Sequence, residues 1–246
     1  MSNSTTRFAI NRGQRIAYCV DGNDGDEAIV LQHGWTSNKE SWDGYVAALV
    51  AAGYCCVSID SLGHGGSDFP TDAALYGREQ RAGDIVAVLD AEHIGKTHLI
   101  GYSMGGWLAC CVAEFHSDRL LSLMIGGHCP GTGTNEETGF LKTGEKYPFD
   151  RILELSDFGW PDELLPAMRH TYDDLEDVEG HEEAVASAGV PVLLWKGRGE
   201  AVICEKGEAV AKQHDWEFFA VDGTHVEAVR NSEPNLPKIL SFLRRT

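Results

Sequence analysis

One serine stands where an exposed hydroxyl could do chemistry. Ser103 lies in "THLIGYSMGGWLAC", between an apolar run ending at Gly101 and a second that begins after Gly105 and Gly106. The GxSxG spacing suits a sharp strand-to-helix bend, in which small residues let strand and helix approach while the serine oxygen points outward. A serine hydroxyl by itself is a poor nucleophile. It needs a base, most often a histidine, whose pKa lies near operating pH. Of the ten histidines, His225 in "FFAVDGTHVEAV" directly follows the last predicted strand. Its loop should leave the sheet at the same edge as Ser103, where open α/β sheets place ligands. His128, after "LLSLMIGG", is the competitor. His33 and His64 sit beside glycine in turns that read as backbone geometry. His93, His98, His116, His170, His181 and His214 read as solvent-facing or capping residues.

The imidazole in turn needs a carboxylate to fix its tautomer and stabilise the imidazolium. "VPVLLWKGRGEAV" delivers Glu200 just past a strand, near the same edge. Asp222 is closer to His225 in sequence, but short separation is no advantage when the partner must reach the far ring nitrogen. Asp157 and Glu136 are further alternatives. Attack on a carbonyl also creates an oxyanion, for which preoriented backbone N–H groups are efficient partners; losing one costs about 3 kcal/mol in the transition state. Met104 follows the serine and opens the next helix, and Trp35 ends an earlier strand in "LQHGWTS". Their amides are the candidate donors, and their side chains are expected to line an acyl or leaving-group pocket.

The elements that must hold these residues alternate at the pace of βα units. "RFAIN" and "RIAYCVD" predict an early hairpin around "RGQ". "AIVLQHG", "YCCVSID", "THLIGYS", "RLLSLMIGG", "VPVLLWKG" and "WEFFAVDG" read as strands. The nearly continuous apolar runs among them suit a sheet covered on both faces. "SWDGYVAALVAAG", "REQRAGDIVAVLDAEHIG", "GGWLACCVAEFHS", "KGEAVAKQH" and "LPKILSFLRR" have helical spacing. The expected class is α/β: a mostly parallel eight-stranded sheet flanked by helices. Residues 1–128 and 189–246 form its core. Residues 129–188 break the rhythm with a polar, glycine-rich stretch and two helical pieces, "RILELSDFGW" and "PDELLPAMRHTYDDL". They are expected to form a short inserted lid plus a crossover helix.

Composition narrows the partners. A chain of 246 residues, 43% hydrophobic, can bury a two-sided core without a metal or a disulfide. A formal net charge of -18 disfavours binding to nucleic acid or an anionic membrane surface. The seven cysteines, Cys19, Cys55, Cys56, Cys110, Cys111, Cys129 and Cys204, are odd in number and show no CxxC spacing. Most lie in apolar patterns, where cysteine acts as a small hydrophobe, so a reducing cytoplasm is the expected location. No apolar signal or membrane span is read, and no dense ligand cluster suggests a metal or organic cofactor.

Taken in order, these pieces resemble the α/β-hydrolase fold superfamily, in its small serine-nucleophile branch, over essentially the whole chain. "HGWTS" resembles the oxyanion loop, and "DSLGHGGSD" the DxxGxGxS turn through Asp60, Gly63, Gly65 and Ser67. "GYSMGG" is similar to the nucleophile elbow, "VPVLLWKGRGE" to the acid-bearing strand and loop, and "GTH" to the histidine loop. The resemblance implies a triad of Ser103, Glu200 and His225, in the chain order serine, acid, histidine. Two departures stand out: glutamate replaces the usual aspartate, and His116 occupies a place often held by proline. Epoxide hydrolases and haloalkane dehalogenases of this superfamily attack with aspartate, whereas this chain has Ser103.

The implied activity is hydrolysis of a carboxylic ester or lactone by water through an acyl-enzyme, on a small apolar or moderately polar carbonyl substrate. The resemblance extends to carboxylesterases and enol-lactone hydrolases. The alternatives are carbon–carbon hydrolysis of vinylogous diketones and a small-ligand receptor without turnover. The short lid leaves the pocket either open or completed by another subunit of a homo-oligomer.

Overall fold

The computed structural model describes residues 4–132, 149–150, 153 and 160–246. Eight strands form one sheet: β1 (Arg7–Asn11), β2 (Gln14–Asp21), β3 (Glu27–Gln32), β4 (Tyr54–Ile59), β5 (Thr97–Tyr102), β6 (Leu120–Gly126), β7 (Val192–Gly197) and β8 (Glu217–Val221). Their spatial order is β1-β2-β4-β3-β5-β6-β7-β8. β2 runs antiparallel to β1 and to β4, and the remaining pairings are parallel. The expected hairpin turns through Arg12 and Gly13, both at positive φ, which matches the twist of the paired strands.

Among the described residues the helices are α1 (Asp43–Ala51), α2 (Arg78–Ala91), α3 (Met104–His116), α4 (Leu165–Asp173), α5 (His181–Ser187), α6 (Ala201–His214), α7 (His225–Arg230) and α8 (Leu236–Leu243). α4 and α5 belong to the region inserted between β6 and β7. Most of the helix expected over "RILELSDFGW" lies outside the described residues. α6 starts earlier than the "KGEAVAKQH" pattern indicated, immediately after Glu200.

Period-two alternation divides the core into two layers. Val30, Val57, Leu99, Leu123, Ile125 and Leu194 face the layer made with α2 and α3. Their neighbours Leu31, Cys56, Ile100, Met124 and Trp195 face the layer made with α1 and α8. Strands buried on both faces read as unbroken apolar runs, and here they are. Cys19, Cys55, Cys56, Cys110, Cys111 and Cys129 are buried thiols; the side chain of Cys204 lies outside the described residues. Among the described residues no helix is long and apolar enough to cross a membrane.

The topology fixes where a site can form. From β3 the chain crosses to β4 on one side and then to β5 on the other, so the direction of winding reverses between β3 and β5. At such a reversal, open α/β sheets place their ligands beyond the carboxyl ends of the strands. The residues that follow β3 and β5 are the "HGWTS" loop and Ser103.

Candidate active site

Ser103 caps the end of β5 and precedes α3, with φ 57° and ψ -117°. A non-glycine residue in this region is strained, and such strain persists only where the surroundings over-determine it. The surroundings here are glycines. A Cβ on Gly101 would lie 2.0 Å from the Gly105 carbonyl oxygen, and one on Gly105 would lie 2.0 Å from that of Gln32. No flexible side chain could yield at either contact. The turn is closed by the Ser103 N–H, which donates to the Gly126 carbonyl at 2.8 Å.

The oxyanion-loop candidate lies directly against this turn. A Cβ on Gly34 would approach the Ser103 Cβ and the Tyr102 carbonyl oxygen, each at 3.3 Å. Thr36 also has positive φ, unusual for a β-branched residue. Two buried networks hold the loop in place, and neither was read from the sequence. In the first, the Ser61 N–H donates to His33 Nε2 at 3.0 Å, so Nδ1 must carry the proton, and it donates to the Gly34 carbonyl at 2.8 Å. Burial lowers the His33 pKa, which keeps this neutral tautomer, although Gly34 and Asp60 oppose the shift. In the second, Asp60 accepts from the Lys39 N–H at 2.7 Å, from Lys39 Nζ at 2.8 Å and from the Gly66 N–H at 2.9 Å. Burial acts against the charge on Lys39, but the hydrogen bonds and charges of Asp60 and Glu40 outweigh it and raise the amine to about 12.

His33, which the sequence suggests is only turn geometry, uses its ring to tie the end of β3 to the end of β4. The signal available was the pairing of "QHG" with "DSLGHGG", two loops that meet only once the strands are neighbours.

The two oxyanion candidates differ in their side chains. Met104 is the first residue of α3, so its N–H has no acceptor within the helix. Its side chain departs from expectation: it turns into the core, where Arg81 Nη2 donates to its sulfur at 3.0 Å. Of the two side chains expected to line a pocket, that leaves Trp35. Its indole Nε1 donates to the Met168 carbonyl at 3.3 Å and to Thr171 Oγ1 at 3.2 Å, both on α4. Tyr172, Trp160 and Phe149 surround it with ring centroids at 5.0, 5.6 and 6.2 Å. This aromatic group joins the loop after β3 to the inserted region.

Glu200 and His225 come together. His225 Nδ1 lies 2.5 Å from Glu200 Oε1, with the carboxylate largely covered and the imidazole partly exposed. An ionised carboxylate only accepts, so Nδ1 carries the proton and Nε2 is left as an acceptor. Their loops are stitched by backbone: the Arg198 N–H donates to Val221 and the Gly199 N–H to Gly223, at 2.8 and 2.9 Å. His225 is the first residue of α7, which Thr224 and Glu227 close with a reciprocal capping box. The Tyr102 hydroxyl donates to the His225 carbonyl at 2.7 Å, and the two rings lie 5.1 Å apart. His225 thus packs on the residue immediately before Ser103. Both loops leave the same edge of the sheet, because β5 through β8 are mutually parallel.

The alternatives fall elsewhere. Asp222 is almost fully exposed and pairs with Arg198 at 3.3 Å. His128 is buried behind α3, where a Cβ on Gly106 would come 2.8 Å from its own Cβ. Glu136 and Asp157 lie outside the described residues. His98 and His181, expected to face solvent or cap elements, are fully buried.

Comparison with known proteins places the fold. The model of the alpha/beta hydrolase fold family matches residues 27–155. The 3-oxoadipate enol-lactonase 1 of Acinetobacter baylyi is 24% identical over 259 residues, covering 95% of this chain and 94% of that protein. A putative 2-succinyl-6-hydroxy-2,4-cyclohexadiene-1-carboxylate synthase of Bacillus subtilis is 33% identical over 130 residues, covering 53% of this chain but only 47% of the relative. The matches to that synthase and to epoxide hydrolases thus span less than half of those relatives' lengths. Among solved structures, the esterase RhEst1 of Rhodococcus superposes with a TM-score of 0.75 at 25% identity, over 97% of this chain and 98% of that one.

Proposed function

The chain belongs to the alpha/beta hydrolase fold family, and on that premise we propose that it is a serine hydrolase cleaving a carboxylic ester or lactone through an acyl-enzyme. The observation that carries this reading is the 2.5 Å pairing of His225 Nδ1 with Glu200, on the sheet edge where Ser103 is held at positive φ. In the proposed cycle His225 Nε2 takes the Ser103 proton as Oγ bonds to the carbonyl carbon. The resulting oxyanion accepts from the Trp35 and Met104 amides. Collapse breaks the carbon–oxygen bond to the leaving group, which receives the proton from His225. Water then gives a proton to the same nitrogen as its oxygen attacks the acyl carbon; the bond to Ser103 Oγ breaks, Oγ takes that proton from His225, and the acid leaves. Glu200 stays ionised and steadies the imidazolium.

The aromatic surround of Trp35 favours an apolar acyl or leaving group. A lactone is supported by the enol-lactonase relative, which aligns along nearly its whole length. An aspartate-nucleophile epoxide mechanism has no support at this position, since the residue is Ser103. The test is turnover of short and medium p-nitrophenyl esters and a panel of γ- and δ-lactones. Multiple turnovers in the wild type and a loss of at least ~10³-fold in Ser103→Ala are expected. Product that stays bound after a single turnover would point instead to a ligand receptor.

A further inference from the structure

A second cluster of chemically capable side chains lies behind the nucleophile helix. Cys110 sits on α3 about 10 Å beyond Ser103 along the helix axis. His128 follows β6, and His181 opens α5. One ligand-type atom from each lies within 4.8 Å of the other two, and all three residues are buried. Cys110 belongs to the apolar layer made with α2 and α3, yet the two buried imidazoles beside it are polar. His181 Nδ1 is buried with no hydrogen-bond partner among the described residues. Its other nitrogen, Nε2, lies 3.8 Å from Cys111 Sγ and 3.8 Å from Glu114 Oε2. A buried imidazole nitrogen left unsatisfied is costly and requires an explanation.

We propose that Cys110, His128 and His181 form a binding site for one divalent transition-metal ion of the zinc class, separate from the Ser103 site. One thiolate and two imidazoles are a donor set that suits zinc and excludes calcium and magnesium, which require oxygen ligands. Zinc–nitrogen and zinc–sulfur bonds of about 2.0–2.3 Å place tetrahedral ligand atoms roughly 3.3–3.8 Å apart, so the cluster closes on an ion by an inward shift of about 1 Å. Three protein ligands leave a fourth position for water. Glu114, which pairs with Arg78 at 3.2 Å, would have to close on His181 from 3.8 Å to become the outer partner that metal-bound histidines commonly have. The ion would link the nucleophile helix, the end of β6 and the helix that returns from the inserted region. In sequence the ligands are spread from residue 110 to residue 181 with no metal-binding spacing, so only the fold brings them together.

The site does not depend on the activity proposed above, and its test does not use turnover. The full chain is expressed in zinc-supplemented medium and assayed for bound metal after gel filtration. In parallel, chelator-treated protein is titrated with Co²⁺, whose thiolate charge-transfer and visible bands report a Cys–His site. The expected result is one equivalent of zinc per chain and a saturable cobalt spectrum that zinc abolishes. Zinc at a hundredfold excess over its Kd should raise Tm by about 5–10 °C. Cys110→Ser and His181→Gln, each verified as folded by circular dichroism, should lose the spectrum and the Tm rise, while Cys111→Ser keeps both. Absence of stoichiometric metal and of the cobalt–thiolate band in the wild type would overturn the proposal. So would a full spectrum in folded Cys110→Ser.

Discussion

His225 Nδ1 lies 2.5 Å from Glu200 Oε1, although the two residues belong to different loops at the end of the sheet. Two main-chain hydrogen bonds between those loops hold the pair in register. The arrangement gives the imidazole one tautomer, with Nε2 as the acceptor. Glu200→Gln should therefore keep the fold but permit the wrong tautomer. A fall in kcat of about 10³–10⁴ is expected, with little change in KM. Asp222→Asn, at an almost fully exposed position, should leave kcat within about twofold. A large loss confined to Asp222→Asn would transfer the acid role.

The buried Lys39–Asp60 pair anchors the loop that carries Trp35. Removing one partner strands the other charge inside the protein, which typically costs about 3–5 kcal/mol. Lys39→Met should lose that much stability in urea unfolding. Because the loop is then no longer fixed against Ser103, it should also lower kcat by at least ~10-fold. A change below about 1 kcal/mol with unaltered turnover would show that the loop is held by other contacts.

Stability should fall on the acid side. His33, His64 and His98 are buried, and burial lowers each pKa from 6.5. Below pH 6.5 the unfolded chain takes up protons that the folded chain refuses, so unfolding becomes easier as pH falls. The loss ends once the folded histidines also protonate. Each histidine contributes up to about 1.4 kcal/mol per pH unit within that window. Urea unfolding at pH 7.5 and 5.5 checks this, and His64→Gln should flatten the difference. Equal stability at the two pH values would contradict the assignment of neutral, buried imidazoles.

Much of the candidate site is legible in the sequence alone, for local reasons. "GYSMGG" announces itself because the elbow needs small residues at fixed offsets, and the contacts of Gly101 and Gly105 show why. Glu200 and His225 were readable because each follows a strand whose apolar run is unmistakable. What stayed hidden depends on contacts between distant segments. His33 bonds to Ser61, and Lys39 to Asp60, only because β3 and β4 are neighbours. The inward turn of Met104 depends on Arg81, which arrives from α2. His98 and His181 look polar in a one-dimensional reading, yet packing buries both. The early start of α6 was missed because the recognised helical pattern begins only at Lys206, while Glu200 stands at its N-cap.

The central claim is that the Ser103 hydroxyl carries the acyl group. Its most direct test is to trap the intermediate with a slowly hydrolysed ester or an alkyl fluorophosphonate and locate the adduct by peptide mass spectrometry. One adduct per chain on Ser103, absent in Ser103→Ala and formed far more slowly in His225→Ala, is the predicted result. An adduct on a cysteine or any other residue, or wild-type turnover retained by Ser103→Ala, would contradict it.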